Sequence, residues 1–522
     1  MKKILKALFT ALILLLFLPA VSCGGEKQNE NSLDINKNDP KPEENGAGEE
    51  KSGPKSPVPD DLKFTGETVR FFNYYFEVDT NGTVDPAMAT LTNAETASGD
   101  VVYEAVYKRN MEVQDKFGVT FKFTHCPSDA DPDKYQNSFI AKIVNSGSDE
   151  FDIVIGKQFQ CVRLASENMF RNIKDLPYLD ITNPWWAEGY INELTVGKNT
   201  LMYITGDISA AWLNRLGTIY FNREVYKNYI GENPDDLYKM VLDGKWTMDA
   251  LYNIVKNMYA DLDGDGVQSD GDMYGLITHT ISATDYFTYG SGIHVTSHDE
   301  NGFPYFVINN EKTVEFVDKL YDLYYNNQAT RLIPQSQSNF NDIFNDKFAA
   351  NESLFRDANL GVSSQLRSMQ ADFGMIPFPK LDETIPSYSS LVHDTAPLIC
   401  VPETCSKDDE FIGAVIEEMA FKGYTLMTPA YFDVALKNKY MRDSDDMAMR
   451  CLDIIRENAV TDFAYVYNYA LKPNPDSWDT HVGLIMRDLM GKKSNNFASF
   501  WEKVEKPAAD NLQKIIDAYI NK

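Results

Sequence analysis

The stretch DVVYEAVYKRNMEVQDKFGVTFKF, residues 100–123, followed at 151–156 by FDIVIG, decides the fold. Val106, Tyr107, Met111 and Phe117 recur near the helical period, and Gly118 stands where such a helix would stop. Val119, Phe121 and Phe123 then alternate, as a half-buried strand requires. Upstream, ETVRFFNYYF (67–76) is an apolar strand candidate. Downstream, KYQNSFIAKIVNSG (134–147) reads as a helix ahead of the buried strand FDIVIG. Strand, helix, strand, helix, strand in that order predicts a mostly parallel sheet covered by helices, hence an α/β fold.

Working outward, a second α/β block opens at GTIYFNREVY (217–226). TMDALYNIVKNMYA (247–260) sets Leu251, Ile254, Val255 and Met258 on one helix face, with Thr247 as N-cap. Helices TVEFVDKLYDLYY (313–325) and FNDIFNDKFA (340–349) follow, then the strand-like DFGMIPFP (372–379) and APLICVP (396–402). The last third reads as mainly helical, and no internal repeat is visible. A chain of 522 residues exceeds one ordinary core, so two or more lobes are expected.

The formal net charge of −28 repels phosphate backbones and anionic headgroups, which argues against nucleic-acid binding or polybasic membrane docking. At the N-terminus, MKKILK is a positive leader, ALFTALILLLFLPA an apolar segment, and AVSC its end: residues 1–22 read as a signal peptide. Ser22-Cys23-Gly24-Gly25 resembles the lipobox of bacterial lipoproteins, which makes Cys23 the expected lipidation site, although Ala20 stands where leucine is commonest. Residues 23–62 then form a lipidated linker. Its stretch 26–61 holds two leucine or isoleucine residues and no aromatic, too little to order itself. As a coil it would span roughly 35 Å. Cys126, Cys161, Cys400, Cys405 and Cys451 are odd in number and scattered, which argues against a disulfide framework; Cys400 and Cys405 flank VPET and could pair, but buried free thiols are the expectation.

Several motifs, in order, resemble the extracellular solute-binding proteins of ABC importers, the group that includes maltodextrin-binding proteins. They are GDVVYEAVYKRN with KFGVTFKF, DEFDIVIG, IYFNREVYKNYIGENPDDLY with GKWTMDAL, an acidic loop followed by YGL, DFGMIPFPKLDE, and YFDVALKNKYMRDSDD. The resemblance covers about residues 67–522. It implies two α/β lobes joined by crossing segments and closing on a solute, a periplasmic-binding-protein-like fold. By analogy the first crossing falls at TGDISAAWLNR (205–215). Lobe 1 is then expected over 63–210 plus 335–390, and lobe 2 over 211–334 plus 391–522. The same resemblance implies a carbohydrate ligand, permease subunits as partners, and a monomer tethered by its lipid outside the cell membrane, or in the periplasm where a second membrane exists.

The acidic loop DLDGDGVQSDGD (261–272) matches a calcium loop at five of six ligand positions. Asp261, Asp263, Asp265, Val267 (by its carbonyl), Ser269 and Asp272 are the candidate ligands, with Gly266 at the turn. Aspartate replaces the usual bidentate glutamate at the twelfth position. The following MYGLITHTISATDYF does not read as the second helix of a sensor, so a static Ca2+ clip between helix and strand is expected.

Sugar recognition needs flat apolar faces for C–H surfaces and carboxylates or amides for hydroxyls. The candidate ligand contacts are Tyr74 and Tyr75 after the first strand, Gln158 after FDIVIG, Asp207 and Trp212 at the crossing, Tyr286 and Phe287 in TDYFTYG, and Trp478 in NPDSWDTH. TDYFTYG and the Trp478 segment fall where maltodextrin-binding relatives place stacking aromatics. Arg356 and Asp357 occupy a stretch where relatives carry an aromatic, which implies a polar contact there. Trp246 and the pair Trp185–Trp186 read as packing residues. Lys157 or Arg356 could instead anchor a carboxylate, pointing to an acidic sugar or a peptide. A glycosidase or lyase is the competing enzyme reading, through carboxylates such as Asp285 and Asp479. No GxSxG, HExxH, P-loop or GxGxxG constellation supports catalysis.

Overall fold

The computed structural model describes residues 53–74, 92–93, 101–127, 130–336, 340–366, 369–432, 446–474 and 481–520. The signal segment, Cys23, most of the linker, Tyr75, Trp478 and Asp479 lie outside the described residues. Lys55–Lys522 forms one compact unit. Its near end corrects the expected linker boundary of 62. Val58 is buried against Val113 and Phe117, and Ser56 Oγ donates to Glu418 Oε2 at 2.6 Å. The apolar side chain in SPVPDDL has a core to enter, and the flanking prolines lower the cost of ordering it.

The first sheet begins as predicted. β1 (Thr68–Asn73), β2 (Thr120–His125) and β3 (Ile153–Lys157) lie parallel with β1 central, Phe71 pairing with Phe123 on one side and Ile153 on the other. Helices α1 (Val101–Phe117) and α2 (Pro132–Asn145) make the crossovers. The buried stripe of α1 is Val102, Tyr103, Val106, Arg109, Asn110, Val113 and Phe117, while Met111 is 39 % exposed. The stripe lies off the expected one because Arg109 and Asn110 are buried by hydrogen bonds. Arg109 Nη1 donates to the Ile208 carbonyl at 2.8 Å, and Asn110 Nδ2 to Thr92 at 3.0 Å. α3 (Gln158–Ser166) follows β3 directly.

The second sheet takes β4 (Gly217–Asn222), β5 (Tyr274–Thr278), β6 (Thr330–Leu332), β7 (Ser353–Asn359) and β8 (Phe373–Ile376), in the order β8-β4-β7-β5-β6. β5 runs parallel to β6 and β7, whereas β4 is antiparallel to β7 and β8. Helices α4 (Met248–Val255), α5 (Ser282–Gly290), α6 (Glu311–Tyr325) and α7 (Phe340–Ala349) lie between these strands in the chain. Thr247 caps α4, its hydroxyl accepting from Ala250 N at 3.2 Å, and Trp246 is fully buried.

β9 (Pro397–Cys400) then returns to the first sheet, antiparallel to β3, and α8 (Asp409–Lys422) packs on α1. Two expected assignments are thereby reversed. Residues 353–376 belong to the second sheet and 397–422 to the first. Strand partners are chosen by tertiary pairing, which sequence spacing does not encode. Two passages between the sheets run antiparallel, bridged at Ile204–Ile399 and at Leu216–Val392. A third leaves α8, where Gly423 lies directly against the Asp207 carbonyl. α9 (Asp446–Glu457), α10 (Ile485–Gly491) and α11 (Phe497–Ile520) complete the helical end. The five cysteines after Cys23 are free and buried. Among the described residues no helix is long and apolar enough to cross a membrane.

Candidate functional site

In open α/β sheets, ligands bind beyond the carboxyl ends of the strands. A cavity of about 460 Å³ opens there, beyond β5 and at the end of β7. His279 follows the last residue of β5, and Arg356, Asp357 and Asn359 close β7. The two crossing passages add Arg215 and His393–Thr395, and α10 adds Arg487.

Three rings line this space. Tyr286 on α5 stacks on Phe378 with centroids 5.3 Å apart. Gly217 makes room for it, since a Cβ there would lie 2.4 Å from the Tyr286 ring. Phe340 and Phe344 stand four residues apart on α7, one turn, with centroids 5.2 Å apart. The His279 ring sits edge-on to both, at 5.2 and 5.7 Å. Between the rings are the amides of Gln335, Asn341, Asn359 and Gln365.

The charges fall into pairs with different states. Arg487 Nε donates to Asp285 Oδ2 at 2.6 Å, and its Nη2 donates to the same oxygen. Burial pushes Asp285 up to about 6 against that pull. His393 Nδ1 lies 3.0 Å from Asp394. Burial opposes the Asp394 charge, but His393 and Arg487 outweigh it and hold this carboxyl well below the ordinary range. Asp357 and His279 are 3.5 Å apart but do not form a full ion pair. Burial pushes Asp357 up to about 7, and burial with nearby cations pushes His279 down to about 3. At neutral pH the imidazole is uncharged beside a carboxyl close to its midpoint.

Of the residues expected to touch a ligand, Tyr286 lines this cavity, and so do Arg356 and Asp357. Tyr74 is buried at the end of β1, with Lys157 Nζ 5.9 Å from its ring. Gln158 Oε1 accepts from the buried Tyr190 hydroxyl. Phe287 is core, edge-on to Phe378 at 4.9 Å. Asp207 and Trp212 serve the crossing: Trp212 Nε1 donates to Asp207 Oδ1 at 3.1 Å, while Oδ2 accepts from Thr428 at 2.8 Å and Arg456 at 3.3 Å. Trp185 and Trp186 form a packing knot, each donating to Glu417 at 2.9 Å. His279, Phe340, Phe344 and Asp394 were not anticipated. A histidine immediately after a strand end was the available signal.

A scan against protein-family models finds no match, and a search among curated proteins finds none. Solved structures do match. A cyclo/maltodextrin-binding protein complexed with maltotetraose aligns with 87% of this chain and 97% of its own, at TM-score 0.50 and 12% identity. The chain has the two-lobed solute-binding fold. The GacH receptor of Streptomyces glaucescens GLA.O, solved unliganded and with acarbose, is another match, over 87% of this chain and 97% of its own at TM-score 0.49 and 11% identity. A substrate-binding protein of Listeria monocytogenes in complex with cycloalternan covers 87% of this chain and 99% of its own at TM-score 0.48 and 9% identity.

The acidic loop lies between α4 and β5, a helix and a strand. Asp261, Asp263 and Asp265 are exposed and bring carboxylate oxygens within 4.8 Å of one another. Gly264 and Gly266 take positive φ (75° and 73°), and Gly266 N donates to Asp261 Oδ2 at 2.9 Å. Three carboxylates so placed fit a hard divalent cation such as Ca2+. Asp272 is engaged differently. Its carboxylate accepts from Ser269 N at 2.8 Å, Leu262 N at 3.3 Å and the Tyr259 hydroxyl at 3.2 Å, which holds it below the ordinary carboxylate range.

Proposed function

We propose that this chain is the solute-receiving component of an ABC importer, and that it captures a carbohydrate by closing its lobes and passes it to a permease. The observation that carries this reading is the cavity at the strand ends. It has three rings for C–H faces, and amides and carboxyls for hydroxyls, on a fold whose solved neighbours are binding proteins. That one such neighbour holds maltotetraose supports a sugar of several units.

The test is calorimetry of the full chain against malto-, xylo- and uronate-containing oligosaccharides, with chromatography of each mixture afterwards. Saturable heat with the sugar intact supports capture, and silence across the panel refutes it. Released shorter sugars would favour a glycosidase instead. That second reading has one observation behind it: Asp357 and Asp394 line one cavity with their proton affinities pushed apart.

Two further parts belong to the proposal. Cys23 carries a diacylglycerol that holds the chain at the outer face of the cell membrane; a Cys23→Ala chain would appear in the culture medium rather than the membrane fraction. The loop holds Ca2+ as a static clip, so chelation should lower the melting temperature and millimolar calcium restore it. An unchanged melt leaves an acidic turn with no metal.

A further inference from the structure

The lining of the cavity contains a cation with no ion-pair partner among the described residues. Arg356 is 5 % exposed, and burial pushes its guanidinium down to about 10. A guanidinium carries five N–H donors. Among the described residues its hydrogen bond runs from Nη1 to Asn345 Oδ1 at 2.6 Å, and Nε is buried without an acceptor. One face lies over Phe344, 5.5 Å from the ring centroid, and the residue is part of the cavity lining. A buried charge without a counter-ion close by is strongly unfavourable.

Two nearby acids are engaged elsewhere. Asp285 is taken by Arg487, and Asp394 by His393. Asp357 is the next residue on β7. Its charge supports that of Arg356, but its carboxylate makes its close approach to His279. Arg215 and Arg487 also line the cavity, and the Lys157 charge reaches Asp394 from the end of β3. In a chain of net charge −28, this is a site biased toward positive potential.

We propose that the ligand is an acidic oligosaccharide, and that Arg356 receives the carboxylate of a uronate-type unit. The inference rests on the carbohydrate reading above and narrows it. A carboxylate answers both the charge and the remaining Nη donors of the guanidinium, while a neutral sugar hydroxyl offers one acceptor and no charge. The sugar rings then lie against Tyr286, Phe340 and Phe344, within reach of the cavity amides.

The experiment titrates the full chain with galacturonate and glucuronate oligosaccharides of two to four units, their methyl esters, neutral malto- and xylo-oligosaccharides, and an acidic peptide. The ester differs from the acid only at the carboxyl. The wild-type protein is expected to bind an acid at least tenfold more tightly than its ester, with affinity falling as salt rises. Arg356→Gln should weaken acid binding far more than ester binding, so that the preference is lost, and Arg356→Lys should recover only part of it. Should the variants fail to fold, the acid–ester comparison on the wild-type chain still decides. Equal binding of acid and ester, preference for a neutral series, or a loss in Arg356→Gln shared by both forms overturns the proposal and leaves the carbohydrate reading standing. Binding of the peptide alone, or silence across all sugars, overturns both.

Discussion

Asp357 shows how a carboxyl buried in a cavity costs the protein stability. Its folded carboxyl sits near 7, above the ordinary carboxylate value of 3.8, because burial penalises the charge. Between those values the folded chain binds more protons than the unfolded one, so this residue's contribution to stability falls as pH rises. Asp357→Asn should therefore raise the melting temperature of the ligand-free protein at pH 8, on the order of 3 kcal/mol, and much less at pH 5. Scanning calorimetry at the two values checks it; equal shifts would deny the raised carboxyl. Binding should show the opposite slope. For the uncharged methyl esters, whose hydroxyls donate to an ionised carboxylate, affinity is expected to climb from pH 6 to 8 in the wild type and stay flat in the variant. At this scale the sequence was partly legible. Tyr286 could be marked from its place at a segment end, and the Arg356–Asp357 pair only through the family resemblance. Phe340 and Phe344 could not, because two rings four residues apart on a helix read as core. Phe287 shows the converse: it neighbours Tyr286 in TDYFTYG, yet the turn of α5 sends it into the interior.

Among the elements, the passage out of α8 is the most tightly constrained. A Cβ on Gly423 would lie 1.7 Å from the Asp207 carbonyl oxygen, and neither backbone can yield without moving a crossing segment. Gly423→Ala is expected to destabilise the protein by about 2 kcal/mol or more, read as a lower urea midpoint. An unaltered midpoint would mean the two passages are not in contact. The acidic loop allows a separate test. If Ca2+ clips α4 to β5, Asp263→Asn should abolish the calcium-dependent rise in melting temperature, which at a hundredfold excess over Kd is worth about 2.7 kcal/mol. Asp272→Asn should instead weaken the loop with or without calcium, since its carboxylate holds Ser269 and Leu262. Most elements could be read from periodicity: the strand–helix alternation up to β3, the N-cap at Thr247, the strand after the acidic loop. The offset stripe of α1 could not, because Arg109 and Asn110 are buried by partners distant in sequence.

For the whole molecule, the two sheets and the bridged passages between them imply a hinge. Small-angle scattering should show the radius of gyration shrink on addition of a ligand found by calorimetry, and Asp207→Ala should alter that change by loosening the contacts with Trp212, Thr428 and Arg456. An unchanged profile with saturating ligand would exclude lobe closure. The α/β class and the presence of two lobes were legible from segment order, while the allocation of segments 353–376 and 397–422 was not. An apolar strand fits either sheet, and only its partners decide. The place of β9 also constrains how the chain is made. β3 keeps an open edge until residues 397–400 arrive, some 240 positions after it. A nascent polypeptide emerging from its amino end therefore cannot seal its first half early. An unsealed sheet edge exposes the growing chain to mispairing through most of synthesis.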